Sequence, residues 1–251
     1  MKKKDIYKAI FKRKSIRKYD LSPLDKDILH VISAYINDLN PLYKDIKIDI
    51  KIISTNDVNR RMMKKAPHYL AVFSEKKEGY LTNVGFMLQQ MDLIFSAMGI
   101  GSCWQGIPIP TKEVLNSSDL KFIILMAFGK PSEPLYRENT SEFKRNPLEK
   151  ITSIKDMDEL LEPVRLAPSA TNSQPWFFKG KNNIIKAYSV KPNFLKAIVV
   201  NKYIPIDMGI ALYHLNVSAE HFDKSTKIFF DEMEMKNSPK GYNYIATLNL
   251  E

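Results

Sequence analysis

Asn83-Val84-Gly85-Phe86-Met87-Leu88 is echoed by Asp207-Met208-Gly209-Ile210-Ala211-Leu212, 124 residues further along the chain. A second echo pairs Phe11-Lys12-Arg13 with Phe143-Lys144-Arg145 at an offset of 132 residues. Either echo alone can arise by chance. Two at nearly constant offset point to a diverged duplication, with a seam at 131–141, where Pro, Ser, Glu and Asn cluster. A period this long implies domain-sized halves and not a solenoid. The halves are expected at 1–135 and 136–251.

Each long echo sits in a helical pattern. Val84, Met87, Leu88, Met91, Phe95 and Met98 recur at helical spacing, as do Ile204, Met208, Leu212, Leu215 and Ala219. Both segments are expected as buried core helices. Ser22-Pro23-Leu24-Asp25 reads as an N-cap with Pro at the first helical position, opening a helix that runs to about Asp38. Ile46, Ile48, Ile50 and Ile52 alternate with polar partners, which predicts a strand over 46–53; further strands are expected at 69–73, 122–128, 227–230 and 244–250. The fold class is α+β.

Composition sets bounds on function. A chain of 251 residues with 44% hydrophobic side chains can bury one large core or two halves packed together. Its formal charge of +10 suits nucleic acid, a membrane surface, a phosphate-bearing ligand or a plain Lys-rich solvated surface. No Arg-rich stripe interleaved with aromatics is present, so a nucleic-acid partner is not expected. The lone Cys103 rules out an internal disulfide or a Cys-based metal cluster and fits a reducing, cytoplasmic setting. No apolar run approaches the ~18 residues needed to cross a bilayer, so no membrane association is expected. His30, His68, His214 and His221 show no zinc-ligand spacing, and no metal is expected. The absence of a Gly-x-Ser-x-Gly elbow, a phosphate-binding P-loop and an aligned carboxylate pair argues against hydrolases and kinases.

Three segments can carry chemistry. Arg13-Lys14-Ser15-Ile16-Arg17-Lys18 packs four cations and a hydroxyl into six residues, a set able to neutralise a phosphate, or equally a solvated basic turn. Ala167-Pro168-Ser169-Ala170-Thr171-Asn172-Ser173-Gln174-Pro175-Trp176 sets hydroxyls and amides between two prolines. Those donors and acceptors suit a flat heteroaromatic edge; the plainer reading is a capped turn entering a strand. Gly99-Ile100-Gly101-Ser102-Cys103-Trp104-Gln105-Gly106 closes a helix with glycines that permit close backbone approach, so it is not a dinucleotide fingerprint. Cys103 reads as a redox thiol or, more simply, as inert packing beside Trp104.

Taken together, these segments resemble the FMN-dependent nitroreductase superfamily. The 13–19 segment resembles its phosphate-binding signature, and 167–176 resembles its flavin-edge signature. The 80–106 segment resembles the core helix and the loop beneath the flavin, Phe128-Gly129-Lys130-Pro131 the strand end that follows, and 144–151 the closing basic segment. The order departs from the family's: the flavin-edge signature follows the closing segment, while its usual place is taken by 39–45. This resembles fused, tandem nitroreductases, in which one chain imitates the family's homodimer. The resemblance implies a nitroreductase-like fold of central, mostly antiparallel sheets flanked by helices, built as two half-domains. It also implies one FMN per chain and a reciprocal site that lacks both signatures.

Carried over residue by residue, the resemblance assigns Arg13, Lys14, Ser15 and Arg17 to the FMN phosphate and ribityl chain, with Arg145 and Lys144 assisting. Pro168, Ser169, Asn172 and Gln174 would line the isoalloxazine edge, Gln105 and Gly106 would sit by the reactive flavin nitrogen, and Asn59, in Asn59-Arg60-Arg61-Met62-Met63, would touch the pyrimidine edge. The implied activity is hydride transfer from NADH or NADPH to FMN and on to a small electron-poor acceptor such as a nitroaromatic or quinone, in a monomeric pseudo-dimer. No side-chain nucleophile is needed, because the flavin carries the chemistry. The alternative is an FMN storage or sensor protein without turnover. The lid is expected within 188–203, a short stretch that would leave substrate choice loose.

Overall fold

A computed structural model describes residues 3–59, 65–192 and 201–251. The helices are α1 (Lys3–Ile10), α2 (Lys26–Asn37), α3 (Tyr80–Ala97), α4 (Lys112–Leu115), α5 (Asp158–Arg165), α6 (Ile204–His221) and α7 (Glu232–Lys236). Strands β1 (Ile48–Ser54), β2 (His68–Ser74), β3 (Gly101–Gln105) and β4 (Lys121–Gly129) form an antiparallel sheet in the order β1-β2-β4-β3. Strands β5 (Trp176–Lys181), β6 (Ile184–Val190), β7 (Thr226–Phe229) and β8 (Tyr242–Leu250) form a second, in the order β5-β6-β8-β7. Strand for strand the two orders are the same. In each, an 18-residue helix joins the second strand to the third, and the second strand shifts register against the fourth, at Val72/Phe73 and at Ala187/Tyr188. The chain is thus an α+β protein of two half-domains with one topology.

The two long helices hold the halves together. α3 is buried continuously from Thr82 to Ser96, and α6 buries most of its length, because each has a sheet on one side and the other helix on its flank. They meet at a glycine pair. A methyl group on Gly85 would sit 2.0 Å from the Ile206 carbonyl oxygen, and one on Gly209 would sit 2.0 Å from the Thr82 carbonyl oxygen. Since 82 and 85 lie 124 residues before 206 and 209, the contact is its own mirror image. The spacing of the long echo is therefore the spacing of a pseudo-twofold crossing, at which only glycine lets the backbones approach.

Several local expectations change. α2 starts at Lys26, not at Pro23. The 20–24 segment is instead a turn: Ser22 N–H donates to Asp20 Oδ1 at 2.9 Å, and Leu24 N–H donates to His68 Nε2 at 2.9 Å, which ties the turn to β2. Burial pushes the His68 pKa down, which keeps its ring available as that acceptor. The first strand begins at Ile48, because Ile46 N–H turns back to the Tyr43 carbonyl. β3 and β6 are additions, the first drawn out of a glycine-punctuated stretch by its pairing with β4.

Candidate functional site

The basic segment after α1 is laid against β3. Ile16 N–H donates to the Ser102 carbonyl at 2.9 Å, and Ser15 bridges Ser102. Gly101 makes this possible, since a methyl there would sit 2.9 Å from the buried Ile16 side chain. Alternation then sends successive side chains in different directions. Arg13 turns inward, with Nε 2.8 Å from Asp92 Oδ2 and both side chains at 2% exposure or less. That contact is a close approach of opposite charges and not an aligned hydrogen bond. Arg13 also donates to Ser15 Oγ at 3.1 Å. Lys14 is spent on the Pro134 carbonyl at 3.2 Å. Glu133 accepts from the Arg17 and Lys18 backbone N–H groups at 2.7 and 3.1 Å, which fixes the turn. The Arg17 guanidinium makes one long bond to the Ser15 carbonyl, 3.4 Å, and among the described residues forms no ion pair.

The segment leaving α5 is built differently. Thr171, Asn172 and Gln174 have φ of 52°, 58° and 49°, left-handed values that are costly for a β-branched Thr and for Gln. The loop is held there by side chains. Arg145 donates to the carbonyls of Phe143, Leu166 and Ala167 at 2.7, 3.2 and 3.0 Å and to Asn172 Oδ1 at 2.5 Å. Its pKa is pushed down to about 9 by burial and then by Arg13, Arg137 and Arg165, so it stays charged at neutral pH. Asn172 donates back to the Lys144 carbonyl at 3.0 Å. Gln174 accepts from Asn146 N–H at 2.7 Å and donates to the Asn172 carbonyl at 3.1 Å, while its own N–H donates to Ser169 Oγ at 2.9 Å. Asn172, Gln174 and Arg145 therefore shape the loop from within.

The two segments meet across a cleft of about 460 Å³, a size usual for ligand sites. Ser15 and Arg17 come from one half and Pro168, Ser169, Ala170 and Thr171 from the other. Cys103, Trp104, Gly106 and Ile107 form one wall, and Ile124, Ile206 and Ile210 an apolar floor. Tyr203 closes a side by donating to the Gly106 carbonyl at 2.7 Å; a side chain at 106 would collide with its ring. Cys103 is buried, its thiol lies 3.5 Å from the Trp104 carbonyl, and burial pushes its pKa up, which favours packing over reactivity.

Of the thirteen residues picked from the sequence, Ser15, Arg17, Gly106, Pro168 and Ser169 line this cleft. Arg13, Lys14, Arg145, Asn172 and Gln174 do not line it and commit donors to protein atoms, while Lys144 contributes only its backbone carbonyl, which accepts from Asn172. Gln105 ends β3 opposite Leu125, and Asn59 donates to the Pro110 carbonyl at 3.1 Å; neither lines the cleft. Arg60, Arg61, Met62 and Met63 lie outside the described residues, as do residues 193–200 of the expected lid. A second cleft of about 450 Å³, lined by Asp156, Asp158, Glu159 and Lys224 among others, contains none of the residues picked from the sequence.

Lys202 and Tyr203, at the end of the stretch expected as a lid, line the cleft, and so does Asp207, which sequence reasoning missed. Asp207 had a signal: it is the lone acid among the apolar residues of the first two turns of α6, at the position of Asn83 in the long echo.

A family model described as "Putative TM nitroreductase" matches residues 5–219. The crystal structure of a Thermotoga maritima protein described in similar terms is 22% identical, covers 98% of this chain and 92% of that one, and superposes with a TM-score of 0.66, a likeness of fold. A Bacteroides thetaiotaomicron protein described as an NADH dehydrogenase/NAD(P)H nitroreductase is 17% identical, covering 58% of this chain and 95% of that one with a TM-score of 0.45. A Desulfitobacterium hafniense nitroreductase with bound FMN is 12% identical, covering 60% of this chain and 98% of that one, also at 0.45. No curated protein matches the sequence. Among the described residues no helix is long and apolar enough to cross a membrane.

Proposed function

The chain belongs to the nitroreductase family whose model matches residues 5–219, and on that premise we propose that this oxidoreductase binds one FMN in the cleft between its halves and uses it to pass hydride from NADH or NADPH to a small electron-poor acceptor. One observation carries the reading: Ser15 and Arg17 of the first half face 168–171 of the second across a single cleft, although the two segments are more than 150 residues apart in the chain. The donor set suits the cofactor. Arg17, unpaired with any carboxylate among the described residues, and the Ser15 hydroxyl would take the phosphate end. The 168–171 segment would meet the ring edge, and Trp104, Ile124, Ile206 and Ile210 would exclude water from the ring. Bound there, FMN would supply the redox chemistry.

On this reading the halves divide at 135/136, and the fused chain is its own dimer and monomeric in solution. The reciprocal site is degenerate. Carrying the Phe-Lys-Arg echo forward, Ser15 and Arg17 correspond to Pro147 and Glu149, which exchange a hydroxyl for a ring and a cation for a carboxylate. A phosphate would be repelled there.

The test is anaerobic titration of the FMN-loaded protein with NADPH and NADH. Bleaching of the bound flavin, reversed by a nitroaromatic or quinone, is expected with at least one nucleotide. Flavin that binds and stays oxidised with both would overturn the reductase reading in favour of a storage or sensor protein. Arg17→Ala should weaken FMN binding by about 1.5–3 kcal/mol, the worth of a hydrogen bond to a charged group, or roughly 10- to 100-fold in Kd. Unchanged affinity in a fluorescence titration would remove Arg17 from the site.

A further inference from the structure

Asp207 is a buried carboxyl in the wall of the cleft, at 2% exposure, in the first turn of α6. Its Oδ1 accepts from Ala170 N–H at 3.0 Å, and its Oδ2 lies 3.4 Å from Ser173 Oγ. It thereby fastens the strained, cleft-lining loop to the long helix. The other half repeats the device: Asn83, its counterpart in the long echo, accepts from Leu42 N–H at 2.8 Å and Tyr43 N–H at 3.0 Å, in the loop that stands where the flavin-edge signature would lie. A neutral amide suffices to hold that loop. The half that lines the cleft uses the ionisable version of the same side chain.

A buried carboxylate without a counter-ion costs stability, and among the described residues no ion pair involves Asp207. Among the described residues, the titratable groups that share the cleft are Arg17 after α1, Cys103 in β3, and Lys202 and Tyr203 in the turn before α6. α3 meets this turn of α6 through the Thr82 carbonyl and Gly85, which bear no charge. Burial accordingly raises the Asp207 pKa to about 7, against the smaller lowering by Ala170 and Ser173. We propose that Asp207 is the positioning residue that makes ligand binding in this cleft proton-linked: its carboxyl group holds 168–173 to α6 and gains a proton when an anionic ligand enters beside it. The ligand half of this inference rests on the FMN reading above; the loop half does not.

The sign follows from the raised pKa. Near neutrality, protonation removes the one negative charge that the described residues give the cleft wall, so binding of an anionic ligand is favoured below pH 7 and weakens as the pH rises through it. Two measurements on the full-length chain test this. In the flavin-free protein labelled with 15N-alanine, the Ala170 amide resonance should titrate with a midpoint near neutrality and stand still in Asp207→Asn. In FMN titrations, Kd should rise about tenfold between pH 6.5 and 8.5, the order expected for linkage to one proton, and Asp207→Asn should flatten that rise while keeping the loop closed, as Asn83 does. A purely structural role would instead lower affinity equally at every pH. An Ala170 resonance that does not move between pH 5 and 9 overturns the proposal, as does a variant that keeps the wild-type slope. Absence of FMN binding at any pH, with Ala170 titrating, would overturn the FMN reading and the ligand half of this proposal, and leave Asp207 as a titrating latch. If the variant fails to fold, the wild-type Ala170 profile decides the latch and the wild-type slope the linkage.

Discussion

Gly209→Ala is expected to destabilise the protein by at least ~3 kcal/mol, at the upper end of what overpacking costs, and to abolish folding if the halves cannot separate slightly. The added methyl would lie 2.0 Å from the Thr82 carbonyl oxygen and 2.6 Å from the Phe86 nitrogen. Both are backbone atoms of a helix buried on all sides, so no side chain can swing away. Gly85→Ala should behave alike, against the Ile206 carbonyl. The direction is informative, since Gly→Ala inside a helix ordinarily gains about 1 kcal/mol from propensity. A loss therefore measures the crossing alone. Urea denaturation checks it, and a stability equal to or above that of the parent would show that α3 and α6 do not cross where described.

Asp92→Ala is expected to cost about 3–5 kcal/mol, the usual penalty for leaving one partner of a buried ion pair without the other. Asp92 Oδ2 lies 2.8 Å from Arg13 Nε as a charge contact, and the carboxylate accepts from Ser102 O–H at 2.7 Å and from Gln89 Nε2 at 3.0 Å. Gln89 continues the chain to His214 Nε2 at 3.1 Å, and His214 Nδ1 lies 2.8 Å from the Pro163 carbonyl. Burial pushes the His214 pKa down to about 4, so the ring is neutral, with Nδ1 donating and Nε2 accepting. The network thus crosses from the basic segment through α3 to α6 and α5. Without Asp92, the buried Arg13 cation has no ion-pair partner among the described residues. Arg13→Met combined with Asp92→Leu should recover most of the loss, because replacing both partners by apolar groups of similar size removes the charges together. A single-variant loss below 1 kcal/mol by denaturation would mean that the pair is not buried as described.

What was legible in the sequence was what repeats or what is locally strange. The echo of 83–88 in 207–212 marked the helix crossing, since its shared glycines, Gly85 and Gly209, sit where the two backbones touch. The 167–176 loop was visible because prolines and short polar residues suit neither helix nor strand. Direction was not legible. Four cations in 13–18 look equivalent in a list, yet Arg13 points at Asp92, 79 positions later, and only Arg17 is left toward the cleft. Arg145 likewise reads as a phosphate ligand until its donors are seen on the carbonyls of Phe143, Leu166 and Ala167. β3 was hidden because Gly101-Ser102-Cys103 carries little strand propensity, and pairing with β4 overrides it. Asp207 was masked by its helix: a single acid among apolar residues reads as part of a core pattern until the loop it holds is in place.

The equilibrium number of FMN molecules bound per chain tests the composite cleft most directly. Dialysis against excess FMN, followed by absorbance of the released flavin, should give one per chain in the wild type and much less in Arg17→Ala at the same free concentration. Two per chain would mean that the half with Pro147 and Glu149 also forms a working site, and none would mean that the halves keep the fold without binding FMN; either result would contradict a single site shared between the halves.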